Sequence, residues 1–166
     1  MNSFRSKLKP LKGLKAVVDR LRRRGNKIVL ANGCFDLLHV GHVRYLAEAK
    51  SLGDLLIVAV NGDRSVRRLK GEGRPLMPES ARAELIAGLE CTDHVIIFRE
   101  SNVERLLRAI RPDVHVKGGD YTSDTVPERA VVKSYGGRVA IAGGPKVRST
   151  RDLIKKVKRV GGAHGD

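Results

Sequence analysis

Three observations predict a doubly wound parallel α/β sheet forming a single domain. Apolar runs of strand length recur along the chain, stretches with helical spacing separate them, and the best of the runs, Leu55-Leu56-Ile57-Val58-Ala59-Val60, is unbroken instead of alternating. Unbroken runs mark strands buried on both faces, which is the situation of a parallel sheet covered by helices. At 166 residues there is chain enough for one real core. In such folds ligands sit beyond the carboxyl ends of the strands, so the loops that leave the strands are where chemistry is expected.

Each element follows from its residues. Residues 1–10 read as a flexible basic N-terminus, 11–160 as the domain and 161–166 as a flexible C-terminus. Leu11 to Arg24 is an amphipathic helix with Leu14, Val17, Val18 and Leu21 on one face, ended by Gly25. Ile28 to Ala31 is a strand that breaks at Asn32-Gly33, and helical spacing resumes through Val43, Leu46 and Ala47. Asp54 to Val60 is the next strand, and Asn61-Gly62-Asp63 turns the chain into a short helix through Leu69. Residues 70–77 form a loop with two glycines and Pro75, and Pro78 suits the first turn of a helix to about Leu89. Val95 to Phe98 is a strand, and Ser101-Asn102-Val103-Glu104 has capping-box spacing ahead of Leu106, Leu107 and Ile110. Val114 to Val116 continues the sheet. A helix from about Asp124 to Tyr135 stops at Gly136-Gly137, Arg138 to Ile141 is the last strand, and a final helix opens at Ser149-Thr150.

The most informative stretch joins the first strand to the helix after it. His39 and His42 stand three apart around Gly41 where that helix begins, so both imidazoles can face its N-terminus. Free N–H groups and the positive dipole end make that place an anion site, and Gly33 and Gly41 would let backbone approach a phosphate closely. Two plainer readings compete. A zinc site could use the His pair with Cys34, but the other cysteine, Cys91, stands beside no second ligand pair. The histidines could also be ordinary capping or surface residues. A nucleotide-phosphate site is the reading that uses the strand, the glycines and the helix start together.

Gly33-Cys34-Phe35-Asp36 followed by His39-Val40-Gly41-His42 resembles the HxGH loop of the cytidylyltransferase-like nucleotidyltransferases, which implies a Rossmann-like domain. Within that superfamily, the string from Asn32 to His42 with Ala59-Val60-Asn61, Arg68-Leu69-Lys70-Gly71, Arg74-Pro75 and Lys117-Gly118-Gly119-Asp120-Tyr121 is similar to the heptose 1-phosphate adenylyltransferases. The likeness runs from about Leu11 to Val157. It implies transfer of AMP from ATP to D-glycero-D-manno-heptose 1-phosphate, giving ADP-heptose and pyrophosphate, with product use in lipopolysaccharide core or other heptosylated glycans. Relatives often carry a fused sugar kinase; no kinase segment is present in these residues, so the sugar is expected to arrive already phosphorylated. Glycerol 3-phosphate cytidylyltransferase and flavin-nucleotide adenylyltransferase are the competing activities.

The resemblance implies roles at matching positions. His39, His42, Lys70 and Thr150 are expected to be catalytic. Gly33, Cys34, Phe35, Gly41, Arg82, Lys117, Gly118, Asp120, Ser149 and Thr150 are expected around the nucleotide, and Asp36, Asn61, Arg74 and Tyr121 around the sugar phosphate. Some residues also have plainer readings: Ser149 and Thr150 as helix caps, Lys70 as a solvated charge, Asp120 as a turn residue, and Asp36 as the anchor of its own loop. Arg148 and Arg151 stand where the family commonly has Gly and Thr. The family commonly has Thr at Cys34, which favours a packing or loop role there over a nucleophile. The attacking group is already an anionic phosphate oxygen, so alignment and charge neutralisation are the chemistry required. Magnesium is expected to enter on the ATP phosphates, since the site offers few carboxylates.

Net charge is +15 and the sequence pI about 10.4. Ten basic residues from Arg5 to Lys27 precede the first strand, and Lys155, Lys156, Lys158 and Arg159 close the chain's last helix. Such a surplus would suit nucleic acid, but aromatics make up only 4% of residues and supply few stacking platforms. A nucleic-acid binder therefore remains the non-enzyme alternative and an unfavoured one. Two cysteines form no disulfide framework, and neither a signal peptide nor a long apolar span is seen, so a cytoplasmic protein without a membrane partner is expected. A homodimer is the expected assembly.

Overall fold

In the computed structural model, residues 3–144 and 150–162 are described. Five strands form one parallel sheet: β1 (Ile28–Gly33), β2 (Leu55–Asn61), β3 (His94–Phe98), β4 (Val114–Gly118) and β5 (Arg138–Ala142), in the order β3-β2-β1-β4-β5. Every expected strand is present, and several extend a residue or two further. The helices are α1 (Leu11–Arg22), α2 (Val40–Ser51), α3 (Asp63–Lys70), α4 (Glu79–Ala87), α5 (Glu104–Ile110), α6 (Arg129–Ser134) and α7 (Thr150–Gly162). The strand order reverses between β1 and β4. The paired register there ends at Ala31 and Val116, and the carboxyl ends beyond it are where this topology places ligands, in a crevice between the two strands.

Alternate residues of each strand feed opposite layers. Val29 and Ala31 of β1 join Leu56, Val58 and Val60 of β2 against Tyr45, Leu46 and Ala49 of α2 and Ala83, Ile86 and Ala87 of α4. Ile28 and Leu30, with Leu55, Ile57 and Ala59, pack on Leu14 and Val18 of α1, Leu107 and Ile110 of α5, and Val131 and Val132 of α6. All seven residues of β2 are buried, which is why its sequence shows no alternation.

Three local expectations give way to tertiary structure. Residues 1–10 were expected to be flexible, yet Phe4–Lys7 form a short 3-10 helix, Leu8 bridges Val95 of β3, and the Lys9 N–H donates to the Val95 carbonyl at 2.9 Å. The apolar Leu8 packs on the core, and an unpaired edge strand offers its backbone groups to a passing segment. The capping box at Ser101–Glu104 is not formed: α5 starts at Glu104, whose N–H is met by Asn102 Oδ1 at 3.1 Å. The helix expected from Asp124 starts only at Arg129, because a turn closed by the Thr125 hydroxyl and the Thr122 N–H, 2.9 Å apart, precedes it. Its expected stop holds: Gly136 takes φ +87°, and the Gly136 and Gly137 N–H groups donate to the carbonyls of Lys133 and Val132. At the other terminus, α7 runs through Gly162, and residues 163–166 lie outside the described residues. No described helix is long and apolar enough to cross a membrane.

Candidate active site

The loop leaving β1 begins with a left-handed residue. Phe35 takes φ +47°, an uncommon state for a bulky side chain, and this folds its buried ring back over Gly33. A Cβ on Gly33 would lie 3.1 Å from that ring, so the space that glycine leaves is filled by Phe35 and not by an approaching phosphate. The ring then meets His42 edge-on, with centroids 5.2 Å apart.

His39 is the N-cap of α2, where its Nδ1 accepts the Gly41 N–H at 3.1 Å. Capping is thus real, and it has a chemical consequence: an Nδ1 that accepts leaves the neutral ring its proton on Nε2, a hydrogen-bond donor. The His42 ring stacks on His39 at 3.9 Å and 23°. Burial, and secondarily the neighbouring His39, lower the His42 pKa to about 4, so it is neutral at physiological pH. Its Nδ1 is buried without a hydrogen-bond partner. Thr150, at the start of α7, donates its hydroxyl to the Leu37 carbonyl at 3.3 Å, which brings a second helix N-terminus to the same loop. Ser149 and Arg148 lie outside the described residues.

Several residues expected beside ligands are bonded within the protein itself. Asp36 is buried, and its carboxylate accepts from Arg74 Nε at 2.5 Å and from the N–H groups of Leu76 and Met77 at 2.7 and 3.3 Å. It anchors the 70–77 loop, the plainer of its two readings, and it holds Arg74 as well. Arg82 was expected beside the nucleotide, but its side chain is fully buried: Nε donates to the Met77 carbonyl, Nη1 to the Cys34 carbonyl and Nη2 to Asp63. A guanidinium sealed on three sides by loop oxygens shapes the loops instead of presenting its charge. Asn61, also buried, donates from Nδ2 to the Ser65 hydroxyl at 3.0 Å and steadies α3.

Lys70, the last residue of α3, is exposed and stands ahead of Gly71 and Gly73, both at positive φ. Burial raises the Cys34 pKa despite the opposing charges of Lys70 and Arg82, so the thiol stays protonated and Cys34 serves packing. Across the crevice, Lys117 of β4 places Nζ 3.4 Å from Asn32 Oδ1 of β1 and 5.0 Å from the centroid of the Tyr121 ring. Gly118 faces open space, while a Cβ on Gly119 would strike the Gly144 carbonyl oxygen at 2.5 Å. Asp120 and Tyr121 lie exposed on the turn that follows. Buried Glu128 and His115, beneath Lys117, escaped the sequence reading, since nothing in their spacing marks them.

The structure therefore gathers His39, Gly41, His42 and Thr150 at two helix starts, and Lys117, Gly118, Asp120 and Tyr121 at the end of β4 and the turn after it. Asp36, Arg74 and Arg82 form a supporting layer. Among the described residues no cluster of three His, Cys, Asp or Glu side chains could hold a metal ion. That donor set fits a magnesium ion carried on phosphate oxygens and water, with protein cations and helix ends supplying the remaining charge.

The family model described as cytidylyltransferase-like matches residues 30–159. The bifunctional protein HldE of Geobacter metallireducens is 52% identical over 95% of this chain and 32% of its own length. HldE of Geobacter sulfurreducens is 48% identical over the same shares. The chain thus spans about a third of the length of these curated relatives. A crystal structure of a lipopolysaccharide core biosynthesis protein from Thermoplasma volcanium is 33% identical, with a TM-score of 0.61 over 70% of this chain and 94% of that one. A pantoate-beta-alanine ligase from Francisella tularensis has a TM-score of 0.58 at 13% identity, which is a likeness of fold alone.

Proposed function

The chain belongs to the cytidylyltransferase-like family, and from that premise we propose that it transfers AMP from ATP to D-glycero-D-manno-heptose 1-phosphate, releasing pyrophosphate. The observation that carries the reading is the stacked His39–His42 pair at the start of α2, with Thr150 of α7 against the same loop. Two helix N-termini and a stacked imidazole pair make a cradle for phosphate oxygens without a resident metal.

In this reaction a phosphate oxygen of the sugar attacks the α-phosphorus of ATP. One P–O bond forms, the bond to the β-phosphate bridge breaks, and the electron pair leaves with pyrophosphate. An anionic nucleophile needs no protein base, so the residues bind, align and neutralise charge. Nε2–H of His39 and the ring of His42 serve the reacting phosphate, Lys70 swings from its glycine-flanked loop onto the departing charge, and Thr150 serves the phosphate chain, a role the family resemblance extends to Ser149. Lys117, Gly118 and Asp120 take the nucleoside side, with Tyr121 toward the acceptor and Asn61 and Arg74 holding the loops around it. Bound magnesium, held by phosphates, would screen the triphosphate charge.

The similarity of Lys117–Tyr121 to the heptose enzymes supports the acceptor, and the likeness to the Thermoplasma lipopolysaccharide core biosynthesis protein supports the pathway. A cytoplasmic homodimer belongs to the same reading. Pyrophosphate release, measured with ATP or CTP against heptose 1-phosphate, glycerol 3-phosphate and FMN, tests the reaction. Fastest turnover with ATP and heptose 1-phosphate is expected, and fastest turnover with any other pair replaces the proposal.

A further inference from the structure

We propose that Glu128 is a positioning residue of the crevice: it staples the loop 118–127 at its base and fixes the Lys117 ammonium between the ends of β1 and β4. The proposal rests on the nucleotidyl-transfer reading for its kinetic consequence and on the structure for its geometry.

Lys117 is the next-to-last residue of β4, and Asn32 holds the same place in β1. Nζ lies 3.4 Å from Asn32 Oδ1 and 3.4 Å from Glu128 Oε1, so the ammonium is held between the ends of the two strands. Glu128 immediately precedes α6, at the far end of the loop that Lys117 begins. The pair therefore closes this loop on itself, and Asp120 and Tyr121 ride on it. Both side chains are nearly buried, with exposures of 11% for Lys117 and 8% for Glu128. An ammonium so placed needs a carboxylate, and a flexible four-carbon stem needs a fixed one if it is to keep one direction.

A second buried group lies beneath the carboxylate, in ion-pair range but without a hydrogen bond to it. His115 is fully buried, its Nδ1 donates to the Leu30 carbonyl at 3.2 Å, and its Nε2 edge stands 3.8 Å from Glu128 Oε2. Burial pushes the Glu128 carboxyl up, but His115 and Lys117 outweigh it and hold the pKa at about 2. Glu128 is not itself among the positions expected to meet a ligand; it acts through Lys117 and the loop.

The test uses the full chain with Glu128→Gln, Lys117→Met and the double variant. Acylation of Lys117 by an amine-reactive ester, followed by peptide mass spectrometry, reads the ammonium's confinement without substrate. Faster labelling in Glu128→Gln is expected, with kcat/KM lowered roughly 10-fold through KM, the scale of coupling within one charged pair. In the Lys117→Met background Glu128→Gln should add little. Wild-type labelling and KM in Glu128→Gln, or an undiminished cost in the Lys117→Met background, would overturn the proposal. Should Glu128→Gln not fold, Glu128→Asp keeps the charge and withdraws it by one methylene; it too should label faster, and wild-type labelling would overturn the staple. A wild-type enzyme that fails to release pyrophosphate defeats the reaction reading and leaves labelling to decide the staple.

Discussion

The imidazoles of His39 and His42 lie face to face, 3.9 Å between centroids and 23° from parallel, with His39 spending its Nδ1 on the Gly41 N–H. Stacking and capping together fix both rings before any ligand arrives. If they stabilise the reacting phosphate, His39→Ala and His42→Ala should each lower kcat by ~100-fold or more while KM for ATP changes far less, because a preorganised donor is worth that much in a transition state. Steady-state kinetics decides it, and near-wild-type turnover in both variants would remove the assignment.

The same pair sets an acid limit on stability. An unfolded chain returns His42 from about 4 to its ordinary 6.5, so below pH 6.5 the unfolded state binds a proton that the folded state refuses. Stability should fall between pH 6.5 and 4, by up to about 3 kcal/mol, and be unaffected by His42 above that window. Glu128 has the opposite sign: its folded pKa of about 2 is below the ordinary 4.5, so its contribution is present above pH 4.5 and lost as pH falls through 2. Urea unfolding at pH 7, 5.5 and 4.5 should show a flatter profile for His42→Gln than for wild type.

Asp36 is buried under one guanidinium and two backbone N–H groups. Asp36→Ala should cost roughly 3 kcal/mol, since it leaves the Arg74 charge without its partner. Limited proteolysis should then cut between Lys70 and Met77 faster than in wild type. Unchanged melting and cleavage would show that the loop is held by something else.

Gly118 and Gly119 are adjacent and should respond differently. Gly119→Ala meets the Gly144 carbonyl at 2.5 Å and should destabilise the fold by about 1–3 kcal/mol, while Gly118→Ala has open space and should melt like wild type. If the nucleoside occupies that space, Gly118→Ala raises KM for ATP. A Gly118→Ala enzyme with wild-type KM would move the nucleoside elsewhere.

The fold was legible because burial on both faces leaves a plain record: β2 is apolar without interruption and is buried throughout. The His39-Val40-Gly41-His42 start of α2 was legible for a similar reason, since its parts are close in sequence. The burial of Arg82 was not legible, because its partners at Cys34, Asp63 and Met77 are brought together only by the packed sheet, and an arginine on a helix carries no sign of being swallowed. Glu128 and His115 were missed on the same ground: Glu128 meets His115 and Lys117 only because the loop after β4 brings the start of α6 back onto that strand. The early start expected for α6 overlooked the Thr122–Thr125 turn, where a side-chain hydroxyl competes for the backbone that a helix would use.

Nucleotide choice checks the family resemblance most directly. ATP should be preferred to CTP by at least ~10-fold in kcat/KM, because a purine gains more apolar contact than a pyrimidine beside the open face at Gly118. Steady-state rates with heptose 1-phosphate and each triphosphate measure it, and faster turnover with CTP would defeat the adenylyl assignment.

Arg82 makes one mechanical body of parts that the chain writes far apart. Its three bonds rivet the turn after β1, the first residue of α3 and the entrance to α4 to a single planar group. These segments consequently loosen together or stay together, and hydrogen exchange around Cys34, Asp63 and Met77 should share one opening event. A lysine there could brace one of the three and would release the others, so the stiffness of this whole rim is vested in the flat, forked geometry of one side chain.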